Sequence, residues 1–162
     1  IFPFYPSQIS NEADGILFLS LLSGRNPEYL IEHHINSVEI LVQSKLEIIP
    51  TGYLLIDGGK ETAVQRVSQT LPIEQDNIEL AYKTAKAGEF LGKKLIYLEA
   101  GSGANQHVSL EMVQYVAQNI DVPLIVGGGI RSMTTIQDIY SAGADLVVIG
   151  TAFENDHNFF SI

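Results

Sequence analysis

Apolar residues in this chain gather into short unbroken runs, and polar, charged and turn-forming residues fill the stretches between them. Five runs have strand length: Ala13 to Leu21, Ile48 to Ile56, Lys94 to Glu99, Pro123 to Gly127 and Asp145 to Gly150. Continuous apolarity, as opposed to alternation, predicts strands covered on both faces, as in a parallel sheet. The opening Ile1–Phe4 stub reads as the end of a sixth strand. The connectors read as helices. One begins at Pro27, with Asn26 as its cap and proline at the first helical position. A second covers 78–91, rich in Ala, Glu and Lys and stopped by Gly92. A third starts at Ser109 and ends before Asp121, and a fourth runs from Thr134 or Thr135 to Gly143. Only 6–12 is too short and turn-like for a crossover helix.

Strand–helix alternation at this regularity predicts βα units on a parallel sheet. An open doubly wound sheet and a closed (β/α)8 barrel compete. No Gly-x-Gly-x-x-Gly follows an early strand, which weakens the dinucleotide-binding version of the first. Six strands in 162 residues make about three quarters of a barrel that typically takes ~250 residues. The expected fold is therefore an α/β (β/α)8 TIM barrel lacking its first strands. Residues 1–162 form one barrel domain, N-terminally incomplete, with no linker, repeat or low-complexity tract.

Composition narrows the chemistry. The chain is 46% apolar and 17% charged, which excludes a disordered protein. It has no cysteine, so disulfide and thiolate-metal readings fall away. No apolar run approaches the ~18 residues of a membrane helix, and a cytoplasmic location is expected. The net charge of −10 argues against a nucleic-acid face, which needs clustered Lys and Arg. It leaves room for an anionic ligand, because backbone N–H groups bind phosphate without a basic surface.

Three strand ends carry the chemical signal. Gly127-Gly128-Gly129-Ile130-Arg131-Ser132 lies between a strand and a helix, and its glycines let the backbone approach a ligand closely. Gly150-Thr151-Ala152-Phe153-Glu154 repeats the arrangement, 22 residues beyond Gly128. Together they match the barrel phosphate site built from the loops after the last two strands and a short helix N-terminus. The third is Tyr97-Leu98-Glu99-Ala100-Gly101-Ser102-Gly103-Ala104. A carboxylate ending a buried strand is expensive unless paired or used. Glu99 could therefore deprotonate a substrate hydroxyl, or could be a structural acid held by an Arg or a helix end. Arg25, after another strand, could clamp a diphosphate or simply lie on the surface beside a helix cap. Asp57-Gly58-Gly59 could meet a metal-diphosphate or be a plain turn. His33 and His34 are adjacent in a helix and cannot share one ligand. No His/Asp/Glu cluster has metal-ligand spacing.

These three motifs resemble the geranylgeranylglyceryl phosphate synthase family, specifically its bacterial-type branch with the related heptaprenylglyceryl phosphate synthases. Ser20-Leu21-Leu22-Ser23-Gly24-Arg25-Asn26-Pro27 and Pro50-Thr51-Gly52-Tyr53-Leu54-Leu55 extend the similarity over essentially the whole chain. The 97–104 stretch is highly specific, whereas the triple glycine is shared by many phosphate-binding barrels. The resemblance implies a modified barrel whose third helix is replaced by a loop, which suits 6–12. It implies a prenyltransferase that joins geranylgeranyl diphosphate to sn-glycerol 1-phosphate through an ether bond, releasing diphosphate with Mg²⁺. Positions matching Tyr97, Leu98, Glu99, Ala100, Gly101, Ser102, Gly103, Gly127, Gly128, Gly129, Gly150 and Thr151 would hold glycerol 1-phosphate. Glu99 would be the base for the attacking hydroxyl. Association into homo-oligomers through barrel helices is also implied.

Two departures qualify the match. The family's metal-binding acids lie on its first strand, upstream of Ile1, so no metal ligand is expected in this chain. Phe4-Tyr5 stand where the family more often has glycine and a small polar residue. The alternatives are a longer prenyl donor such as heptaprenyl diphosphate, another phosphate-barrel enzyme such as a sugar-phosphate isomerase or lyase, and a non-catalytic remnant. The isomerase or lyase reading predicts catalytic Asp or Lys at several strand ends, and Lys is absent from those identified.

Overall fold

The computed structural model describes residues 5–160. Five strands form one sheet: β1 (Gly15–Leu21), β2 (Glu47–Leu55), β3 (Leu95–Glu99), β4 (Leu124–Gly127) and β5 (Leu146–Val148). Every pair is parallel, and the spatial order follows the chain order from β1 to β5. A doubly wound sheet reverses its strand order at a switch point, whereas a barrel adds each strand on the same side. The order without reversal is the barrel order, and the fold is α/β. The expected strand end at 1–4 lies outside the described residues.

Among the described residues six α-helices accompany them: α1 (His33–Gln43), α2 (Ala63–Ser68), α3 (Ile78–Phe90), α4 (Leu110–Asn119), α5 (Met133–Ser141) and α6 (Thr151–Asn155). Side-chain caps set four of the starts. Thr62, Asn77, Ser109 and Ser132 each accept a hydrogen bond from the backbone N–H three residues on, at 3.0–3.3 Å. The last of these starts α5 at Met133, one residue before the expected threonines. A π-helical turn, Glu28–Glu32, runs directly into α1, and Asn26 Oδ1 accepts from the Glu28 N–H at 3.1 Å. Only a three-residue 3₁₀ turn, Pro6–Gln8, interrupts the short connector before β1. The six-residue α2 was not foreseen, and β5 is shorter than the run around it suggested.

Both sheet faces are covered, which explains the unbroken apolar runs. On one face Leu54, Ile56, Ile96, Leu98 and Val126 pack against Ala81, Ala85, Met112, Val113 and Val116. On the other, Leu21, Tyr53, Leu55, Tyr97 and Ile125 form a second cluster. Because the strands are parallel, their carboxyl ends meet along one edge. Leu55, Glu99, Gly127 and Val148 stand in a single register row there. The loops beyond that row build the site.

Candidate active site

An open cavity of about 530 Å³ lies over this row of strand ends. Tyr97 and Glu99 reach it from β3, Ser102 and Gly103 from the following loop, Gly128 and Gly129 from the end of β4, and Gly150 and Thr151 from the end of β5. Three motifs that are separate in sequence thus meet around one space. Leu98 does not point there: alternation along the strand turns it into the helix-facing core. Ala100 is likewise buried in that core, and its N–H donates to the Gly127 carbonyl at 2.9 Å. These two residues shape the backbone and present no side chain to the cavity.

Glu99 is 8% exposed. Its Oε1 accepts the Gly101 N–H at 2.7 Å, and the Tyr97 hydroxyl hydrogen-bonds the same carboxylate. Burial pushes the Glu99 carboxyl above the usual carboxylate range, and the two hydrogen bonds only partly offset it. No Arg or Lys pairs with it among the ion pairs of the described residues. Of the two structural alternatives, an acid held by an Arg or by a helix end, the first has no such ion pair among the described residues. Burial first, and the Glu99 charge second, raise both Tyr97 and Tyr53, so both phenols stay protonated and Tyr97 donates to Glu99. Their rings meet edge to face at 5.2 Å.

The glycines are required by these neighbours. A Cβ on Gly127 would stand 2.6 Å from Tyr97 Oη and 2.7 Å from Glu99 Oε2. At Gly128 it would meet Glu99 Oε1 and the Gly101 nitrogen, both at 2.5 Å, and the backbone there has φ +84°. The Gly-rich strand end is thus what lets Glu99 sit beside the cavity floor. At the far side the Ser102 and Thr151 hydroxyls lie 3.5 Å apart. Beside them Lys60 Nζ lies 3.3 Å from where a Gly103 Cβ would be. Helix α6 has only five residues. The end of β5 therefore offers loop backbone N–H groups more than a helix dipole.

Several lining residues escaped the sequence reading. Tyr53 shares the inner face of the sheet, and Val64, Ile130, Val148, Ile149 and Phe159 give the cavity an apolar wall. The Arg131 guanidinium donates to the carbonyls of Asn105 at 3.0 Å and Ala104 at 2.5 Å, tying the loop after β4 to the loop after β3. Arg25 folds back onto the carbonyls of Gly24 at 2.6 Å and Leu22 at 3.2 Å, and it is not among the cavity-lining residues. Asp57 Oδ1 accepts the Gly59 N–H at 3.0 Å, the geometry of a turn. Among the described residues no group of three His, Cys, Asp or Glu side chains could hold a metal ion. These residues do not by themselves make a Mg²⁺ site.

Comparison with known proteins adds a decisive match: the profile of the PcrB family covers residues 1–161. The chain belongs to the PcrB family. It is 62% identical over 160 residues to the geranylgeranylglyceryl phosphate synthase of Flavobacterium johnsoniae, covering 99% of this chain and 66% of that one. It is 38% identical over 160 residues to the enzyme of the same name from Picrophilus torridus, covering 99% and 65%. Among solved structures it is similar to (S)-3-O-geranylgeranylglyceryl phosphate synthase from Thermoplasma acidophilum in complex with sn-glycerol-1-phosphate. There the TM-score is 0.88 at 39% identity, over 94% of this chain and 61% of that one. The chain thus spans just under two thirds of the length of these PcrB-family relatives.

Proposed function

We propose that this chain forms the acceptor and phosphate site of a prenyltransferase that joins geranylgeranyl diphosphate to sn-glycerol 1-phosphate. The observation that carries the reading is a buried, unneutralised Glu99 at the meeting point of three glycine-bearing strand ends. The family's named activity and the glycerol phosphate in the Thermoplasma acidophilum complex support it.

The phosphate is taken by backbone N–H groups around Gly128, Gly129, Gly150 and Thr151, with Ser102 and Gly103 closing the opposite side. That position directs the glycerol hydroxyl toward Glu99. Transfer forms a bond between the hydroxyl oxygen and the allylic carbon and breaks the bond from that carbon to the diphosphate oxygen, which leaves with the electron pair. Glu99 takes the hydroxyl proton. A carboxyl raised above its ordinary range is, once ionised, a stronger base than an exposed one. Tyr97 holds the carboxylate in place, and Tyr53 packs edge-on behind it. The apolar wall from Val64 to Phe159 suits the first isoprene units, with water kept from the reacting carbon. A heptaprenyl donor would use the same chemistry. Mg²⁺ is part of the reading for its charge on the leaving diphosphate, and the described residues supply no cluster to hold it.

A cytoplasmic homo-oligomer completes the proposal. No helix among the described residues is long and apolar enough to cross a membrane. The test is thermal unfolding with sn-glycerol 1-phosphate against sn-glycerol 3-phosphate. At a hundred times Kd the bound form gains about 2.7 kcal/mol, enough to raise Tm visibly. A rise with the 1-phosphate alone, followed by turnover with prenyl diphosphates, is the expected result. Equal shifts with both isomers, or none, would overturn the stereospecific glycerol site.

A further inference from the structure

Three polar side chains meet on the helix-facing side of the sheet, outside the lining of the cavity. Ser20, near the end of β1, stands beside Gly52 and Ile96 in the register, and Ile96 belongs to the helix-facing core. His34 comes from the first turn of α1. Ser20 and His34 are 6% and 8% exposed, so each needs a partner. Lys93, from the connection before β3, reaches across to supply one. Its Nζ donates to Ser20 Oγ at 2.6 Å, and Ser20 Oγ lies 3.3 Å from His34 Nε2. The path of the Lys93 stem is close-fitting. A Cβ on Gly52 or on Gly88 of α3 would lie 3.6 or 3.7 Å from Lys93 Cγ, and 2.7 or 2.5 Å from Leu22 Cδ1. Glycine inside a helix is unfavourable, so this packing is what keeps Gly88.

The row of hydrogen bonds runs one way. The Lys93 ammonium occupies a lone pair of Ser20, which leaves the hydroxyl proton for His34 Nε2, an acceptor only while the ring is neutral. Once protonated, Nε2 turns a hydrogen of its own on an oxygen already bonded to a cation. Lys93 faces the ring from the start of β3, and His33 faces it from α1. His33 itself meets Glu28 at 3.4 Å and the Tyr5 ring of the 3₁₀ turn edge to face. The sheet presents Phe18, edge-on at 4.3 Å, and the Leu19 carbonyl, and the π-turn presents the Ile31 carbonyl. Burial first, then Lys93, hold the imidazole below its ordinary range against the pull of the two carbonyls. We propose that Lys93, Ser20 and His34 form a pH-sensitive catch, which holds the helical segment 28–43 on the sheet while His34 is neutral and releases it when His34 takes a proton. The unfolded chain binds this proton more tightly than the folded one. The catch's contribution is therefore whole above the ordinary imidazole value and declines as pH falls from there to the lowered one. The held segment carries Tyr29, which packs in one cluster with Tyr53 and Tyr97, so release loosens the packing behind the cavity. The catch does not rest on the proposed reaction.

Hydrogen exchange of the full-length protein, expressed as protection factors, tests it. Between about pH 7.5 and about pH 5 the protection of 28–43 should fall by about tenfold or more, while that of α4 holds. His34→Gln keeps an acceptor for Ser20 and takes no proton, so the fall should vanish. Lys93→Met removes the cation and keeps most of the stem, and the His34 ring resonances should then titrate closer to the ordinary imidazole range. If His34→Gln does not fold, Ser20→Ala takes its place, and protection of 28–43 should already be low at the higher pH. A fall that persists in His34→Gln, or that α4 shares equally, would overturn the catch. So would protection of 28–43 that ignores pH in the wild-type protein, undiminished protection in Ser20→Ala, or a His34 titration unmoved by Lys93→Met.

Discussion

Ionising Glu99 in the folded protein costs free energy that the unfolded chain does not bear, since burial removes the carboxylate from water. With the folded-state pKa above the unfolded one, the unfolded chain releases this proton first as pH rises. The stability contribution is full below the ordinary carboxylate range and declines until pH passes the raised folded-state value. The proposed transfer would need the ionised form, so activity should change the opposite way and fall as pH drops through that same value. Glu99→Gln separates the two effects. It should lower kcat by about 10²–10⁴ and flatten this limb of the stability profile, leaving the variant more stable than wild type near neutral pH. Urea unfolding across pH, run beside a turnover assay, checks both. Unchanged kcat would remove Glu99 from the chemistry. Its location was legible from a single carboxylate ending an apolar run. That no cation neutralises it was not, because this depends on which side chains the fold brings near. Arg25 shows the same limit. A basic residue after a strand looked suited to diphosphate, and the fold turns it onto its own loop carbonyls.

Between elements, the site depends on polar ties that no local pattern announces. Gln75 lies between α2 and α3, and its Nε2 donates to the carbonyls of Asp57 at 2.6 Å and His107 at 3.0 Å. Its Oε1 accepts from the Ser109 N–H at 2.7 Å. One side chain thereby joins the end of β2 to the start of α4, bracketing the loop that carries Ser102 and Gly103. Gln75→Ala leaves these half-buried groups short of partners. It should destabilise the fold by about 1–3 kcal/mol and raise KM for glycerol 1-phosphate more than it lowers kcat. Denaturant midpoints and steady-state kinetics read the two. A loss confined to kcat would mean that the bracket does not position the loop. The strands and long helices were legible because burial on both sheet faces and capping side chains are written locally. Helix α2 escaped because six residues carry too little periodicity, and Gln75 because its partners lie up to 34 residues away.

At the scale of the whole chain, the parallel sheet with unreversed strand order confirms the barrel-type reading that strand–helix alternation suggested. Alternation alone suits either of two architectures, and the strand order decides between them. The same scale sets how an anionic substrate arrives. The chain carries a net charge of −10, and a dianionic phosphate approaching it is repelled at long range. In the proposed site a seated phosphate would interact with backbone N–H dipoles at short range, which mobile ions screen little. Raising ionic strength from 0.01 M to 0.15 M shortens the screening length from ~30 Å to ~8 Å. Most of the repulsion is thereby removed and the short-range hydrogen bonds remain. KM for glycerol 1-phosphate should therefore fall or hold steady over this range, opposite to the salt response of a site built on clustered Lys and Arg. Initial rates in a neutral buffer with sodium chloride varied over that interval provide the measurement. A KM that climbs with salt would shift the phosphate-holding role from the backbone to a cation. Lys60 is then the residue to replace, because its Nζ lies beside Gly103 at the cavity mouth. Lys60→Ala would abolish the salt dependence in that case and leave it unchanged in the backbone case.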